Sequence, residues 1–303
     1  MSLIVVNGTS LVVSGRILKI GAIEDEYWLE RSSVGDPDQV IRNIRDSRVK
    51  IDLFTFSQKL PETAPKYRYC MEWDNVAALN IKTYDYWWNS QVNDKTRNMV
   101  RKAKKKGVEV RITDFNDALV KGITSIYNET PIRQGRRFWH YGKDIDRVKS
   151  ENSTFSERRD FIGAYLGDQL IGFIKLVYTD EVAGMMQILS MIKDRDKATN
   201  NALLAKAVEI CAEKGIRYLT YAKFTYGKKG TDPVAEFKHH NGFEKIEIPK
   251  YYVPLSARGR VMLRLGLHRE LTELLPQGFS SSLRKIRTDW YLRKVTRQPE
   301  SPR

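Results

Sequence analysis

Hydrophobic positions in this chain change period several times, and the changes mark its elements. Residues 1–23 alternate short apolar runs with the turn pairs Asn7-Gly8 and Ser14-Gly15, the pattern of β-hairpins. Val40, Ile41 and Ile44 recur at helical spacing within 36–47, and 51–56 reads as a strand. Pro61 and Pro65 then interrupt the pattern and predict a loop. The span 67–80 is strand-like and aromatic, yet carries Glu72, Asp74 and Asn75 inside it. Thr83 is placed to cap a helix bearing Tyr84, Trp87 and Trp88, and a basic helix over 96–106 stops at Gly107.

The second half is more regular. The span 112–127 reads as strand, loop and helix; 161–166 and 169–178 flank Gly167-Asp168 as an antiparallel hairpin. Residues 185–192 form an apolar strand, followed by a polar turn over 193–201 and a helix over 202–214, which Gly215 ends. Ile216–Tyr221 predicts a second strand, and Asp232-Pro233 opens a helix that closes at Asn241-Gly242-Phe243. Residues 245–255 supply the last strands.

The order strand, polar turn, helix, strand, helix has a physical use. The turn stands on a helix N-terminus, where unpaired N–H groups and the helix dipole favour an anion. Together with Phe237-Lys238 and Asn241-Gly242-Phe243, the unit resembles the core of the GNAT N-acyltransferase superfamily, and more particularly its FemAB/FemX-like branch, which transfers aminoacyl groups to peptidoglycan precursors. That resemblance implies an α/β (α+β) fold with a mixed, mostly antiparallel sheet flanked by helices. It implies an incomplete N-terminal lobe over 1–107, a complete acyltransferase domain over 108–255 and a basic amphipathic extension over 256–303. It also implies that Ile192, Lys193, Asp194, Arg195, Lys197, Thr199, Asn200 and Asn201 hold the donor, although the turn lacks the glycines usual there. The donor implied is an acyl-CoA such as acetyl-CoA, with an aminoacyl-tRNA as the alternative.

Candidate chemistry clusters in two further places. Arg133, Gln134, Arg136, Arg137, Phe138, Trp139, His140 and Tyr141 crowd one glycine-containing loop. Arginine matches carboxylate and phosphate bidentately, and aromatic faces stack on rings, so the loop is a candidate acceptor wall. Trp73 and Asn75 join that set, and Glu72 and Asp74 are candidate bases. Tyr221, Lys223 and Tyr226 follow the strand after which this superfamily often places its general acid. The bland reading of each is a core aromatic or a solvated charge.

Charge and composition narrow the partners. The net charge is +15, and two segments carry nearly all of it: 95–111 holds eight basic residues against one acid, and 256–303 holds eleven against four. Such clustering favours a polyanionic or membrane-surface partner. The partners expected are a small-molecule amine, a nucleotide-sugar or other cell-envelope acceptor, a tRNA, and an anionic membrane touched by the extension. A non-catalytic nucleic-acid-binding protein is the competing class, although no nucleic-acid module is readable. Two cysteines exclude a disulfide framework. The four histidines lack partners at ligand spacing, so no metal is expected. An apolar but uncharged N-terminus and the lack of any bilayer-length apolar run predict a cytoplasmic protein.

Overall fold

The computed structural model describes residues 2–15, 18–24, 36–225 and 233–269. Within them the chain forms two compact units that interleave along the sequence. The first comprises the described residues within 1–91, 177–186 and 211–269; the second comprises 92–176 and 187–210.

The first unit opens with β1 (Ser2–Val6), β2 (Thr9–Ser14) and β3 (Ile20–Ile23). Helix α1 (Pro37–Asp46) starts where its sequence specifies: Asp36 accepts from the Asp38 N–H, and Pro37 fills the first turn. β4 (Leu53–Ser57) and β5 (Cys70–Asn80) follow. Thr83 caps α2 (Tyr84–Tyr86), which widens at once into a π-helical turn over Trp87–Gln91 instead of the ordinary helix expected. Buried Trp87 donates its indole N–H to the Asn241 carbonyl at 3.0 Å.

The second unit holds the basic helix α3 (Asp94–Lys105), stopped by Gly107 at φ +77. It continues through β6 (Glu109–Thr113), α4 (Asp117–Tyr127), the small hairpin β7 (Ile132–Arg133) and β8 (Arg136–Arg137), and α5 (Ile145–Asn152). β9 (Arg159–Leu166) and β10 (Gln169–Thr179) form the hairpin predicted around Gly167. β11 (Val182–Ser190), α6 (Thr199–Glu213), β12 (Tyr218–Thr220), α7 (Pro233–His240), β13 (Glu244–Pro254) and α8 (Ala257–Arg264) complete the described chain.

Strands of the first unit lie in the order β1-β2-β3-β4-β13-β5-β12. β12 pairs in parallel with the start of β11, Val182 opposite Tyr218, so the two strands of the predicted unit share a sheet. β13 lies between β4 and β5, antiparallel to β5 over nine residue pairs and to β4 over five. In the second unit β10, β9 and β6 lie in sequence, with β6 antiparallel to β9. The architecture is therefore mixed α/β, with mostly antiparallel strands flanked by helices.

β11 begins and ends earlier than its apolar run suggests. Parallel pairing with β12 draws Val182-Ala183-Gly184 into the strand. At the far end Met191 and Ile192 leave it, because the Ile192 N–H turns to a side chain described below. α6 begins at Thr199, ahead of its first apolar residue, after a single 3-10 turn over Arg195–Lys197 and Ala198 at φ +55.

The core of the first unit stacks Phe56 on Tyr251 at 5.0 Å between ring centroids, with Ile41, Ile44 and Phe54 around them. In the second unit Leu119, Ile123, Ile126, Phe161, Phe173 and Leu203 are fully or almost fully buried. α8 docks by a close backbone approach: a Cβ on buried Gly259 would collide with the Asp52 carbonyl. Gly259→Ala is expected to lower stability by roughly 1–3 kcal/mol through that overpacking. A denaturant titration showing an unchanged midpoint would contradict the docking.

Candidate active site

The sequence-predicted residues assemble into two groups, one in each unit. In the first unit β5 and the segment after β12 come together. The Tyr221 N–H donates to the Ala77 carbonyl at 2.9 Å, and the Ala77 N–H donates to the Ala222 carbonyl at 2.8 Å. The ladder ends there, since Ala222 takes φ +47. Side chains continue the tie: Asn75 accepts from the Thr225 N–H at 3.0 Å and donates to its carbonyl at 3.4 Å. The Lys223 ammonium meets the Asp74 carboxylate at 2.9 Å. Burial pushes the Tyr221 phenol up to about 12. Tyr226 lies outside the described residues.

Glu72, two residues before Asp74, has other partners. It accepts from Arg269 at 2.8 Å and from His268 at 3.0 Å. Burial acts to raise its carboxyl pKa, but these two partners outweigh it and hold the group below the usual carboxylate range. Trp73 points away from both acids, and its side chain is largely exposed. Sequence reasoning missed Lys238. This lysine is 1% exposed, lies 4.4 Å from the centroid of the Tyr221 ring and donates to the Lys223 carbonyl at 2.6 Å. Its only sequence signal is position within the Phe237-Lys238 pair.

The turn over 193–201 and the arginine–aromatic loop both belong to the second unit, and Glu129 connects them. Its two oxygens accept the N–H groups of Ile192 at 2.7 Å and Lys193 at 2.9 Å. Arg133 donates to the same carboxylate at 3.2 Å, to the Ser190 carbonyl at 2.8 Å and to the Ile126 carbonyl at 2.9 Å. Its guanidinium also covers the Phe138 ring at 4.5 Å. Burial draws that guanidinium below its ordinary pKa, with Glu129 opposing. Arg133 is thus committed to internal contacts, whereas Gln134, Arg136, Arg137 and Trp139 are exposed. Glu129 follows the end of α4 directly, and an acid there carries no recognisable sequence signal.

His140 stacks on Tyr127 at 4.2 Å, beside Phe138 at 5.4 Å, while Tyr141 is partly buried. The Tyr127 hydroxyl donates to Gln187 at 2.7 Å, and burial raises its pKa to about 12. The His140 Nδ1 lies 3.1 Å from the Lys143 ammonium, which is paired with Glu151. Burial first, and the Lys143 charge second, pull the imidazole down to about 4. In the turn itself Lys197 pairs with Asp194 at 2.8 Å and Asp196 at 3.7 Å. Thr199 Oγ1, Asn200 Oδ1 and Asp194 Oδ2 are buried without a hydrogen-bond partner. Among the described residues no group of His, Cys, Asp and Glu could hold a metal ion, and no helix is long and apolar enough to cross a membrane.

No protein-family model matches the chain, and no curated protein does. Solved structures do. FemX is similar over 85% of this chain and 86% of its own, with TM-score 0.60 and 11% identity. The C-terminal domain of a putative lysylphosphatidylglycerol synthetase from Agrobacterium fabrum is similar over 86% of both chains, with TM-score 0.58 and 11% identity. L-PGS from Bacillus licheniformis is similar over 88% of this chain and 89% of its own, with TM-score 0.54 and 11% identity. At these identities the likeness establishes a shared fold.

Two measurements probe the second unit. Breaking a fully buried ion pair costs about 3–5 kcal/mol and a surface substitution stays within about 0.5 kcal/mol; the Arg133–Glu129 pair, with side chains 14% and 17% exposed, lies between. Arg133→Ala is therefore expected to lose about 1–3 kcal/mol in chemical denaturation and Arg136→Ala almost nothing; equal losses would break the distinction. His140 favours its neutral form in the folded state, so its contribution to stability is full above the unfolded value of about 6.5. It fades as pH falls from there toward about 4. NMR titration should show one imidazole still neutral at pH 5, and His140→Phe should flatten the stability loss between pH 7 and pH 5. An ordinary titration near 6.5 for every imidazole would refute the burial argument.

Proposed function

We propose that the chain is an N-acyltransferase that moves an acyl or aminoacyl group from an activated carrier to an amine of a small molecule or cell-envelope precursor. One observation carries the reading. Tyr221, Lys223 and Asp74 converge in the first unit beside buried Lys238, within a fold shared with FemX.

Direct attack requires a free amine, a stabilised oxyanion and a protonated leaving group. The amine nitrogen forms the new C–N bond, and its surplus proton passes to the Asp74 carboxylate. Lys223 and Lys238 supply positive charge for the oxyanion. As the carbon–sulfur or carbon–oxygen bond to the carrier breaks, the leaving thiolate or alkoxide takes the proton of Tyr221. A phenol raised to about 12 stays protonated at working pH and so remains a donor. In the second unit, exposed Arg136 and Arg137 offer positive charge to an anionic ligand, while Arg133 fixes their hairpin. Exposed Arg258, Arg260, Val261, Arg264 and Leu265 on and just after α8 provide contact with an anionic membrane surface.

The test is transfer from acyl-CoA or charged tRNA to a panel of amines. Tyr221→Phe should lower kcat about 10²–10⁴-fold at nearly constant KM. Arg136→Ala or Arg137→Ala should weaken binding of an anionic ligand by about 1.5–3 kcal/mol and leave Tm unchanged. Absence of transfer from either donor, with salt-sensitive RNA binding that falls at each arginine removed, would replace this reading with a nucleic-acid binder.

A further inference from the structure

We infer that Glu129 determines which acyl carrier the chain accepts: it fills the anion place of the turn before α6 and excludes carriers that would seat a diphosphate there, coenzyme A among them. The inference rests on the transferase reading above and adds a specificity residue to it.

Successive backbone N–H groups that converge make a nest for one anion. In this turn the converging pair belongs to Ile192 and Lys193, and both oxygens of Glu129 occupy it, at 2.7 and 2.9 Å. Some of the other amides of the turn are also spent. Those of Arg195, Lys197 and Ala198 donate to the carbonyls of Ile192, Asp194 and Arg195, and those of Asn201 and Ala202 donate to Ala198. The amides of Asp194, Asp196, Thr199 and Asn200 donate to no backbone carbonyl, so the exclusion rests on the Ile192–Lys193 pair.

The charge count agrees. Lys193, Arg195 and Lys197 face Asp194 and Asp196 in the same segment, and Glu129 makes the balance even. Lys197 is held by both aspartates. The buried oxygens of the turn lacking partners are Thr199 Oγ1, a hydroxyl that can donate or accept, and Asp194 Oδ2 and Asn200 Oδ1, which call for hydrogen-bond donors. A diphosphate brings only acceptors. It would also have to displace Glu129 from Arg133, leaving a guanidinium whose side chain is 14% exposed without its carboxylate. Specificity of this kind works by repulsion of the wrong ligand as much as by attraction of the right one. The carrier class that remains brings no diphosphate to this turn.

Calorimetric titration of the full chain with coenzyme A, competed by inorganic pyrophosphate, tests the inference. The native chain should show no saturable binding. Glu129→Gln keeps the side-chain shape and removes the charge, and should gain at least about tenfold in coenzyme A affinity, with pyrophosphate competing. Glu129→Ala, which opens the nest fully, is the second variant; circular dichroism decides which of the two is folded and read. Saturable micromolar binding of coenzyme A by the native chain would overturn the inference, as would a folded variant that gains nothing. Turnover with acetyl-CoA would also overturn it while upholding the transferase. Failure of transfer from acyl-CoA and charged tRNA alike would fall on the transferase reading, and the coenzyme A titration would still decide the role of Glu129.

Discussion

A buried carboxylate must find its hydrogen bonds, and the second unit is arranged so that Glu129 finds three. Two are adjacent backbone amides and one is a buried guanidinium. Arg133 in turn has its charge balanced by Glu129, and it reaches two carbonyls as well. The pair therefore fixes three things together: where β11 stops, how α4 ends, and how the β7–β8 hairpin stands. Buried pairs like this add little net stability relative to an apolar pair, but breaking one is costly. That asymmetry makes the arrangement specific. Any ligand that wants the same amides must compete with an ion pair already desolvated.

The first unit solves a different problem by the same means. β5 is polar where a sheet interior should be apolar, and each polar group is answered by a residue distant in sequence. Asp74 meets Lys223, Asn75 closes on Thr225, and Glu72 meets His268 and Arg269. The polar stretch of β5 is thereby matched to the segment that follows β12 and to the end of α8. Charges satisfied in pairs can be placed in a partly buried strand at a tolerable cost. Once there, they leave Tyr221 and Lys238 in a low-dielectric setting in which a phenol stays neutral and an ammonium acts strongly on nearby charge.

Much of the fold was legible because its signals are local. Asp36 and Thr83 cap their helices with the hydrogen bonds their positions predict. Gly107, Gly215 and Gly242 end helices at positive φ, and Gly167 turns the β9–β10 hairpin. The site was less legible, because its partners are not local. Nothing in the Thr130–Tyr141 pattern distinguishes Arg133, held inside, from Arg136 and Arg137, left outside; the difference arises only when Glu129 and Ser190 arrive beside one of them. Lys238 reads as a surface lysine on a helix until Tyr221 covers it. The π-helical turn after α2 had no signal of its own, being imposed by the distant Asn241 carbonyl that Trp87 reaches.

The same distinction governs how far a shared fold can guide the chemistry. A strand–turn–helix unit presents amides at a helix N-terminus whatever its sequence, so the geometry alone invites an anion. What occupies that place is set by side chains from elsewhere in the unit. Here a carboxylate from the end of α4 arrives first, and the turn supplies two acids among its three cations. The backbone of this fold thus offers amides to an anion as a default, and here an acidic residue outside the turn takes up two of them. Reading the turn by its own residues would assign it to a phosphate; reading it with Glu129 in place assigns the negative charge to the protein itself.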